Sequence, residues 1–548
     1  MAVPNSLLSL YRGDRRLNEF LRHWATAPNG ERVAISGAAG SLKALVAASA
    51  LLELKRSMVI LRSDKEEAAY FLNDLEKLLP QGSVLFFPDS YRRPYADRDQ
   101  TDNSNIGLRA EVLDRLRGDQ PIIVVSYPEA IAEKVITRGQ LDARSMEVAV
   151  GARLDVGFLN EYLFELHFER VDFVEKPGQF SVRGGIVDVF SFAHPEPHRL
   201  EFFGSEVESI RTFDVVNQLT LQQVERMTLV PNVEDKSSTE RRESLTSYAG
   251  PKALVWVERP EVALEKLDRV YRLAEEAFVG LHSVVRRLEP HELYLRGAEW
   301  DRELAGRAIA VDGVPSDSAS WHTLAQPAFA KKFDLLAQTL DGHRQAGRAL
   351  WIMCGQESQR ERLKTILHDL NEGLEVNWID GALHRGWEDP EAGLVAYVDH
   401  DLFERYQRFT IRDQHEQAQA LTLKELNALQ VGDFVAHIDH GIGKFGGLQK
   451  IDVGGVKQEA IKLVYRDSDV LYVSIHSLHK ISPYATKEGT EPSLSKLGSP
   501  AWHNAKSKTK RRVKEVAFDL IKLYAKRREA KGFAYSPDSY LQHELEAS

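Results

Sequence analysis

The stretch VGDFVAHIDHGIGKFGGLQKIDVGGVKQEAIKLVYRDSDVLYVSIHSLHKISPY, residues 431–484, reads as one complete small module. It opens with the apolar run FVAHI at 434–438, which we expect the glycines of GIG at 441–443 to interrupt. The β-branched and aromatic run VLYVSI at 470–475 is typical of a strand. Four or five short strands within so short a stretch predict a small closed barrel of the SH3 or Tudor type.

A β-hairpin is the clearest local feature of this module. Two apolar runs flank Gly454-Gly455, a pair that supplies the positive φ of a two-residue turn. Just before the turn, Ile451 stands between Lys450 and Asp452. An exposed apolar residue with a charged rim suits a protein-binding patch, although an isoleucine in a strand is more often a core residue.

A family resemblance rests on two motifs of the module, VAHIDHGIGKF at 435–445 and LYVSIHSL at 471–478. They resemble the RNA-polymerase-interacting domain of the bacterial transcription-repair coupling factors. The resemblance implies that the hairpin binds the polymerase β subunit through Lys450, Ile451 and Asp452. In that family a long helix follows the barrel and leads into an ATP-driven DNA translocase, which uses ATP and Mg²⁺. No such motor is recognisable here, so we expect a natural or engineered amino-terminal part.

Length and composition are those of an ordinary globular protein. A chain of 548 residues has room for about three to five domains. Its single cysteine, Cys354, argues against a disulfide framework and suits a reducing cytoplasm. We find no secretory signal and no apolar run long enough to span a membrane. We therefore expect a cytoplasmic protein that is a monomer.

A glycine-rich turn follows an early strand, in the sequence VAIS-GAAGSLKA. Gly37, Gly40 and Lys43 have the order of a phosphate-binding loop that opens a helix. Leu42 stands where a glycine is expected before the lysine, and Ala44 stands where a hydroxyl would hold Mg²⁺. We also identify no acidic residue that ends an apolar strand. The sequence therefore predicts a degenerate loop without hydrolysis and no cofactor in this chain; the rival is an ATPase that works through Lys43.

Apolar runs alternate with amphipathic helices around this loop, which predicts a doubly wound parallel sheet. The predicted strands are 33–36, 58–61, 83–88 and 121–125, completed by 253–257 and 307–311. The order of residues 87–95 and 126–131 resembles the first domain of the excision-repair protein UvrB. This resemblance implies a UvrB-like α/β domain into which a second domain is inserted.

The inserted region, residues 139–232, changes to short strands and turns. Its motifs GQFSVRGG at 178–185 and EFFGSEVESIR at 201–211 resemble the UvrA-binding domain shared by UvrB and the coupling factors. The resemblance implies that arginines and an aromatic residue on one sheet face contact UvrA. By position these residues are Arg170, Phe180, Arg183 and Phe190. From the residues alone, Arg183 fits a solvated strand position equally well.

Two further features carry no assigned chemistry. Residues 326–412 have a separate α/β pattern that resembles a spacer domain of the same family. The pairs His437/His440 and His476/His479 have zinc-like spacing, but residues three apart on a strand point to opposite faces. We therefore predict no metal site.

The segment after the barrel is strongly basic. Residues 503–531 hold eleven Lys and Arg against three acidic residues, so +8 lies there in a chain of net charge −10. Ser499 is a candidate helix cap. We predict that a connector helix brings Lys506, Lys510, Arg511 and Arg512 to DNA phosphates; the alternative is a solvated basic helix.

Together these features predict an α/β multidomain protein. Its domains are 1–138 and 233–325 (UvrB-like, with the degenerate loop), 139–232 (inserted, UvrA-binding), 326–412 (spacer), 413–430 (linker), 431–490 (barrel) and 499–548 (basic connector helix). The predicted function is to couple transcription to nucleotide excision repair. Its partners would be UvrA, the RNA polymerase β subunit and, mainly through the motor, double-stranded DNA. The alternatives are a UvrB-like ATPase or helicase and a polymerase-binding regulator without a repair role.

Overall fold

The computed structural model describes residues 6–90, 95, 103–215, 218–233, 241–279, 288–312, 321–329, 331–403, 431–437, 439–453, 456–474, 481–484, 492–497, 499, 501–502, 508 and 512. The chain divides into two compact units, residues 1–414 and residues 415–548. Within the described ranges, no helix has both the length and the apolar composition that crossing a membrane requires.

Six parallel strands form the central sheet of the first unit. In sheet order they are Arg32–Ile35, Ile309–Asp312, Leu254–Glu258, Met58–Leu61, Ile123–Ser126 and Val84–Phe86. Met58–Leu61 is buried along its whole length, as expected for a parallel sheet between layers of helices. Leu254–Glu258 and Ile309–Asp312 lie inside this sheet, which confirms that later residues complete the first domain.

Helices connect and flank these strands. They are Ser6–Tyr11, Arg15–Thr26, Leu42–Leu54, Lys65–Leu78, Asn103–Arg117, Pro128–Ile131, Arg138–Ala143, Leu245–Tyr248, Pro260–Val279, Pro290–Leu293 and Gly297–Leu304. Lys65–Leu78 begins at a capping carboxylate, because Asp64 accepts a hydrogen bond from the main-chain N–H of Glu67. The helix therefore starts immediately after the strand Met58–Leu61, at the carboxyl edge of the sheet.

A second six-stranded sheet occupies the region predicted to be inserted. In order its strands are Thr220–Val224, Glu206–Phe213, His198–Phe203, Ile186–Val189, Gln179–Arg183 and Glu169–Arg170. The last pair is parallel and the others are antiparallel. The helix Val156–Glu165 buries Leu159 and Leu163. Two-stranded sheets join Met146–Ala149 to Arg226–Leu229 and Val135–Ile136 to Arg242–Glu243.

A third sheet has five strands and completes the first unit. In order they are Leu324–Ala325, Trp387–Asp389, Leu394–Val398, Ala349–Cys354 and Asn377–Asp380. The helices of this region are Phe333–Gln345, Glu357–Leu370 and Asp399–Leu402. The α/β pattern predicted for residues 326–412 is present, and the strand Leu324–Ala325 begins just before those bounds.

The second unit contains a five-stranded antiparallel sheet. In order its strands are Val470–Ser474, Val456–Val464, Gly441–Val453, Phe434–His437 and Ile481–Pro483, with a short 3-10 helix at Arg466–Ser468. Its core contains Val435, Phe445, Ile461, Leu463, Tyr465, Val473 and Ile481. Among the described residues the two outer strands do not pair with each other, so closure of the barrel stays a prediction.

The predicted interruption of the run at 434–438 is present, but the turn lies at residues 439–440 and not at 441–443. Gly441 begins a strand that continues to Val453, and the preceding strand ends at His437. Gly441 has a φ of 84° and lies against Ser495, where a side chain would collide with the Ser495 hydroxyl. The glycine therefore lets the chain turn at this point and pair at once.

Candidate interaction surfaces and the filled phosphate loop

One face of the second sheet is polar. Strand alternation places Ser181 and Arg183 on the same face, and Ser181 pairs with Asp188, which pairs with Arg199 on the next strand. Arg211 continues the row because it pairs with Arg199. We call this surface the polar sheet face; it consists of Ser181, Arg183, Asp188, Arg199, Glu201 and Arg211.

Asp188 lies at the centre of the polar sheet face. Its side chain is fully buried and accepts hydrogen bonds from Arg183 and Arg199. Arg199 binds it with two parallel bonds, Nε to Oδ1 at 2.7 Å and Nη2 to Oδ2 at 2.9 Å. This geometry satisfies the buried carboxylate, and the guanidinium of Arg183 leaves the cluster with a net positive charge.

Arg183 is the cation of this cluster that reaches solvent. Its side chain is 39% exposed, against 20% for Arg199. The guanidinium carbon lies 5.4 Å from the centre of the Phe173 ring, and Phe173 is itself exposed. An accessible guanidinium beside an aromatic ring is a residue combination enriched at protein interfaces.

Three of the four residues implied for UvrA binding are not exposed on this face. Phe180 and Phe190 are fully buried, Phe180 against Phe164 and Phe190 in a core cluster with Val174 and Phe213, so their rings offer no contact surface. Arg170 is exposed but pairs in register with Phe180, which puts it on the opposite side of the sheet from Arg183. Alternation alone could not say which side of the sheet was the core.

Phe173 and Arg199 lie beside Arg183 in this cluster, and the sequence analysis did not single them out. Arg199 begins an alternation of Arg199, Leu200, Glu201 and Phe202, with the polar members on the side of Asp188. That pattern was visible in the sequence and could have identified Arg199. Phe173 lies outside the strands, so no periodic signal marks it.

The phosphate loop, residues 37–44, has the predicted local shape. It follows the strand Arg32–Ile35 and leads into the helix Leu42–Leu54. Gly37 and Gly40 have φ values of 73° and 55°, a region that favours glycine. The sequence therefore predicted the backbone of the loop correctly.

Two main-chain donors of the loop, however, are bound to other parts of the protein. The N–H of Ala39 donates to the hydroxyl of Thr323 at 2.7 Å, and the N–H of Ser41 donates to the carbonyl of Arg385 at 3.1 Å. A nucleotide's phosphate oxygens would need these same donors. The residues present therefore do not fit a nucleotide at this loop.

Lys43 is also engaged. Its Nζ lies 2.8 Å from Oδ2 of Asp312, which is buried at the end of the strand Ile309–Asp312. The same carboxylate is 3.3 Å from Arg62, and Arg62 is 3.4 Å from Glu258. The two cations and two carboxylates balance one another, so the lysine charge is already neutralised. This geometry argues against an ATPase that works through Lys43.

The expectation that no acidic residue ends an apolar strand is wrong. Asp312 follows Ile309-Ala310-Val311 directly, and Glu258 ends the neighbouring strand Leu254–Glu258. Because parallel strands share a carboxyl edge, both side chains lie on the same edge as the phosphate loop. The pairing of Lys43 with Asp312 spans most of the domain in sequence, so no local pattern revealed it.

The hairpin predicted to bind polymerase is present in the second unit. Lys450, Ile451 and Asp452 lie in the strand Gly441–Val453, and Val453 pairs with Val456 across residues 454–455. Residues 454–455 and the side chains of 450–452 lie outside the described structure. The role of these three residues stays a prediction.

The histidine pair at the start of this sheet lies closer together than predicted. The rings of His437 and His440 are 4.7 Å apart because the chain turns at residues 439–440 rather than continuing as a strand. Nδ1 of His437 accepts a hydrogen bond from the N–H of Asp439 at 3.1 Å. Across the described positions, no group of three or more His, Cys, Asp or Glu residues could hold a metal ion. His476 and His479 lie outside those positions.

The basic connector is described at few positions. Arg512 is helical and exposed, whereas Lys506, Lys510 and Arg511 lie outside the described residues. The predicted contact with DNA phosphates stays a prediction.

Two family models match this chain. A UvrB interaction domain matches residues 146–234, which include the whole polar sheet face. A CarD-like/TRCF RID domain matches residues 429–485, which include the predicted hairpin. The chain is thus a mixed α/β protein that joins these two classes of domain.

The curated relatives agree with both matches. A "Transcription-repair-coupling factor" of Bacillus subtilis is 25% identical and aligns with 94% of this chain and 50% of its own length. A protein of the same name from Staphylococcus aureus is 24% identical over 73% of this chain and 41% of its own length. The chain resembles the transcription-repair coupling factors, as the sequence predicted, and spans about half the length of these relatives or less.

Proposed function

We propose that this chain is the partner-binding half of a coupling factor that links damage-stalled transcription to nucleotide excision repair. One observation carries the proposal. A UvrB interaction domain and a CarD-like/TRCF RID domain occur in one chain, and its likeness to proteins named transcription-repair-coupling factor extends over 94% of its length.

The polar sheet face would bind UvrA. Arg183 reaches solvent there beside Phe173, and Asp188 fixes the guanidinium before the partner arrives. A fixed guanidinium loses little conformational freedom on binding a carboxylate, and its planar fork can hold both oxygens. We therefore assign to this face a partner that presents acidic side chains.

The hairpin at residues 450–458 would hold the β subunit of RNA polymerase. Its two strands pair in register from Leu448 to Val453. The basic residues after position 503 would lie near DNA. The longer parent would hydrolyse ATP with Mg²⁺ and translocate on DNA to release stalled polymerase; the present chain would do no catalysis and act in the cytoplasm as a monomer.

Pull-down with purified UvrA and RNA polymerase tests the proposal. Arg183→Ala should lose UvrA and keep polymerase, and Ile451→Glu should lose polymerase and keep UvrA. Arg226→Ala is the matched control for the first variant, because Arg226 is a 70% exposed arginine that pairs with Glu147 away from the polar sheet face. Val470→Glu is the control for the second, since Val470 is exposed on an outer strand of the same sheet.

Each outcome has a stated meaning. Loss of both partners by one variant would indicate misfolding, which circular dichroism would detect. A well-folded Arg183→Ala protein that keeps full UvrA binding would show that the polar sheet face is the wrong surface. Failure of the parent chain to bind either partner would contradict the proposal itself.

A further inference from the structure

The glycines of the phosphate loop make room for other parts of the chain. A Cβ added to Gly37 would lie 1.7 Å from the carbonyl oxygen of Trp321, and one added to Gly40 would lie 2.5 Å from the carbonyl oxygen of Gly386. Phosphate loops use glycine so that phosphate oxygens can approach the main chain. In this protein the carbonyl oxygens of Trp321 and Gly386 lie close to the glycines instead.

Residues 321–323 are bound along the loop by several hydrogen bonds. Trp321 N–H donates to the carbonyl of Ser36 at 2.7 Å, and Thr323 N–H donates to the carbonyl of Gly37 at 3.2 Å. The Thr323 hydroxyl donates to the same Gly37 carbonyl at 2.7 Å and accepts from Ala39 N–H at 2.7 Å. One hydroxyl thus satisfies both a donor and an acceptor of the loop.

Residues 384–386 approach the loop from the third sheet. Arg385 accepts the N–H of Ser41, and its own N–H donates to the Ser41 hydroxyl at 2.9 Å. His384 stacks on Tyr70 with ring centres 3.6 Å apart, and its N–H donates to Asp74 at 2.7 Å. We call residues 321–323 and 384–386 the plug segments.

The amino-terminal helices hold the same part of the third sheet from another side. Asp389 is fully buried and accepts bonds from Arg16 at 2.8 Å and from the Tyr11 hydroxyl at 2.9 Å. Trp387 donates its ring N–H to that hydroxyl at 3.0 Å. Residues 387–389, which follow the second plug segment directly, are therefore fixed by buried contacts with the amino-terminal helices.

We propose that the plug segments take the place of nucleotide phosphates, so that the phosphate loop serves as an internal docking site for the third sheet. The loop keeps its glycines because carbonyl oxygens need the same close approach as phosphate oxygens. Its charge is balanced by Asp312 rather than by a ligand. Nucleotides are excluded because the donors are occupied, in addition to the changes at Leu42 and Ala44.

Hydrogen–deuterium exchange at residues 37–44 tests this proposal. Thr323→Val keeps the side-chain shape and removes the hydroxyl, so the Ala39 amide should exchange about tenfold faster or more. Thr323→Ser keeps the hydroxyl, so in this variant the Ala39 amide should exchange at the same rate as in the parent chain. Thr365→Val is a control elsewhere, because the Thr365 hydroxyl bonds only within its own exposed helix, to the carbonyl of Glu361.

A second exchange experiment uses the unaltered chain with added phosphate compounds. It does not depend on whether Thr323→Val folds. Millimolar pyrophosphate, or Mg·ATP, should leave exchange at residues 37–44 unchanged. Slower exchange on adding either one would overturn the proposal, because it would show that the loop donors accept phosphate. Unchanged exchange in a folded Thr323→Val protein would overturn it as well.

Discussion

The phosphate loop and the polar sheet face are built from the same kind of ion pair but leave the cation in different surroundings. At the loop, Lys43 is 22% exposed and Asp312 is buried; on the sheet, Arg183 is 39% exposed and Asp188 is buried. The lysine is enclosed by residues that belong to the fold. The arginine keeps one side open to solvent.

This difference separates architecture from recognition. A charged cluster whose cations are paired with carboxylates inside the protein stabilises the fold. A cluster with an accessible cation and a fixed geometry can bind a partner. The comparison predicts that changes at the loop act on stability and that changes at Arg183 act on binding.

The largest expected effect is that of Gly37→Ala. The new methyl group would overlap the Trp321 carbonyl in a backbone region that already disfavours alanine, so the free energy of unfolding should fall by about 4 kcal/mol. Gly151→Ala is the matched control, since Gly151 has a φ of 80° with no atom within 4 Å of the added Cβ. Gly151→Ala should lower the free energy of unfolding by about 1 kcal/mol. If urea unfolding showed the same loss of unfolding free energy for both variants, the close approach of the Trp321 carbonyl to Gly37 would be contradicted.

Asp74 gives a pH test of the contact between the phosphate loop and residues 384–386. Burial raises the pKa of Asp74 to about 6. The charge of Lys77 and the hydrogen bonds from the Ser41 hydroxyl and the main-chain N–H of His384 act in the opposite direction and lower it. Its contribution to stability is therefore complete below pH 3.8 and is lost as the pH rises through about 6.

Asp74→Asn removes this ionisation and can keep both hydrogen bonds. Its free energy of unfolding relative to the parent should increase by about 2 kcal/mol between pH 4 and pH 7. Asp341→Asn should change in the opposite direction, because the hydrogen bond from Arg344 lowers the pKa of half-buried Asp341. A pH-independent difference for Asp74→Asn would contradict the account of this junction.

On the polar sheet face, two arginines should separate binding from stability. Arg183→Ala should weaken UvrA binding by about 2 kcal/mol, roughly thirtyfold, and lower unfolding free energy by less than about 1 kcal/mol. Arg199→Ala removes two bonds to buried Asp188 and should lower the unfolding free energy by about 2 kcal/mol. Calorimetry and urea unfolding measure the two quantities, and a reversed order would contradict the division proposed here.

The smallest expected effect is that of Lys43→Met. Arg62 remains near Asp312, so the loss of unfolding free energy should be about 1 kcal/mol. Phosphate release from ATP in the presence of DNA should not change, since no turnover is expected. Lys364→Met, at an exposed helical ion pair with Glu361, should cost less than about 0.5 kcal/mol. ATP turnover that disappears with Lys43 would restore the ATPase interpretation.

Local patterns predicted the elements of this fold well. The apolar runs at Met58–Leu61 and Leu394–Val398 and the glycine pair at 454–455 indicate strands and a hairpin without knowledge of their neighbours. What could not be read from the sequence is contact between distant segments. Thr323 meets Gly37 across 286 positions, and Arg385 meets Ser41 across 344.

The polar sheet face shows a second limit of sequence reasoning. Alternation in Gln179–Arg183 indicates two faces but not which one faces the core, so Phe180 was assigned to a contact surface and is buried instead. The core side is set by the helix Val156–Glu165, whose Phe164 meets the Phe180 ring. The family resemblance predicted the domain that the UvrB interaction model matches, whereas the exposed side of its sheet could be found only from the fold.

The most direct test of the central claim is whether this one chain binds UvrA and RNA polymerase at the same time. Immobilised UvrA should retain RNA polymerase only when the chain is added, and either Arg183→Ala or Ile451→Glu should abolish that retention. Polymerase retained without the chain, or two partners that compete for it instead of binding together, would contradict the account.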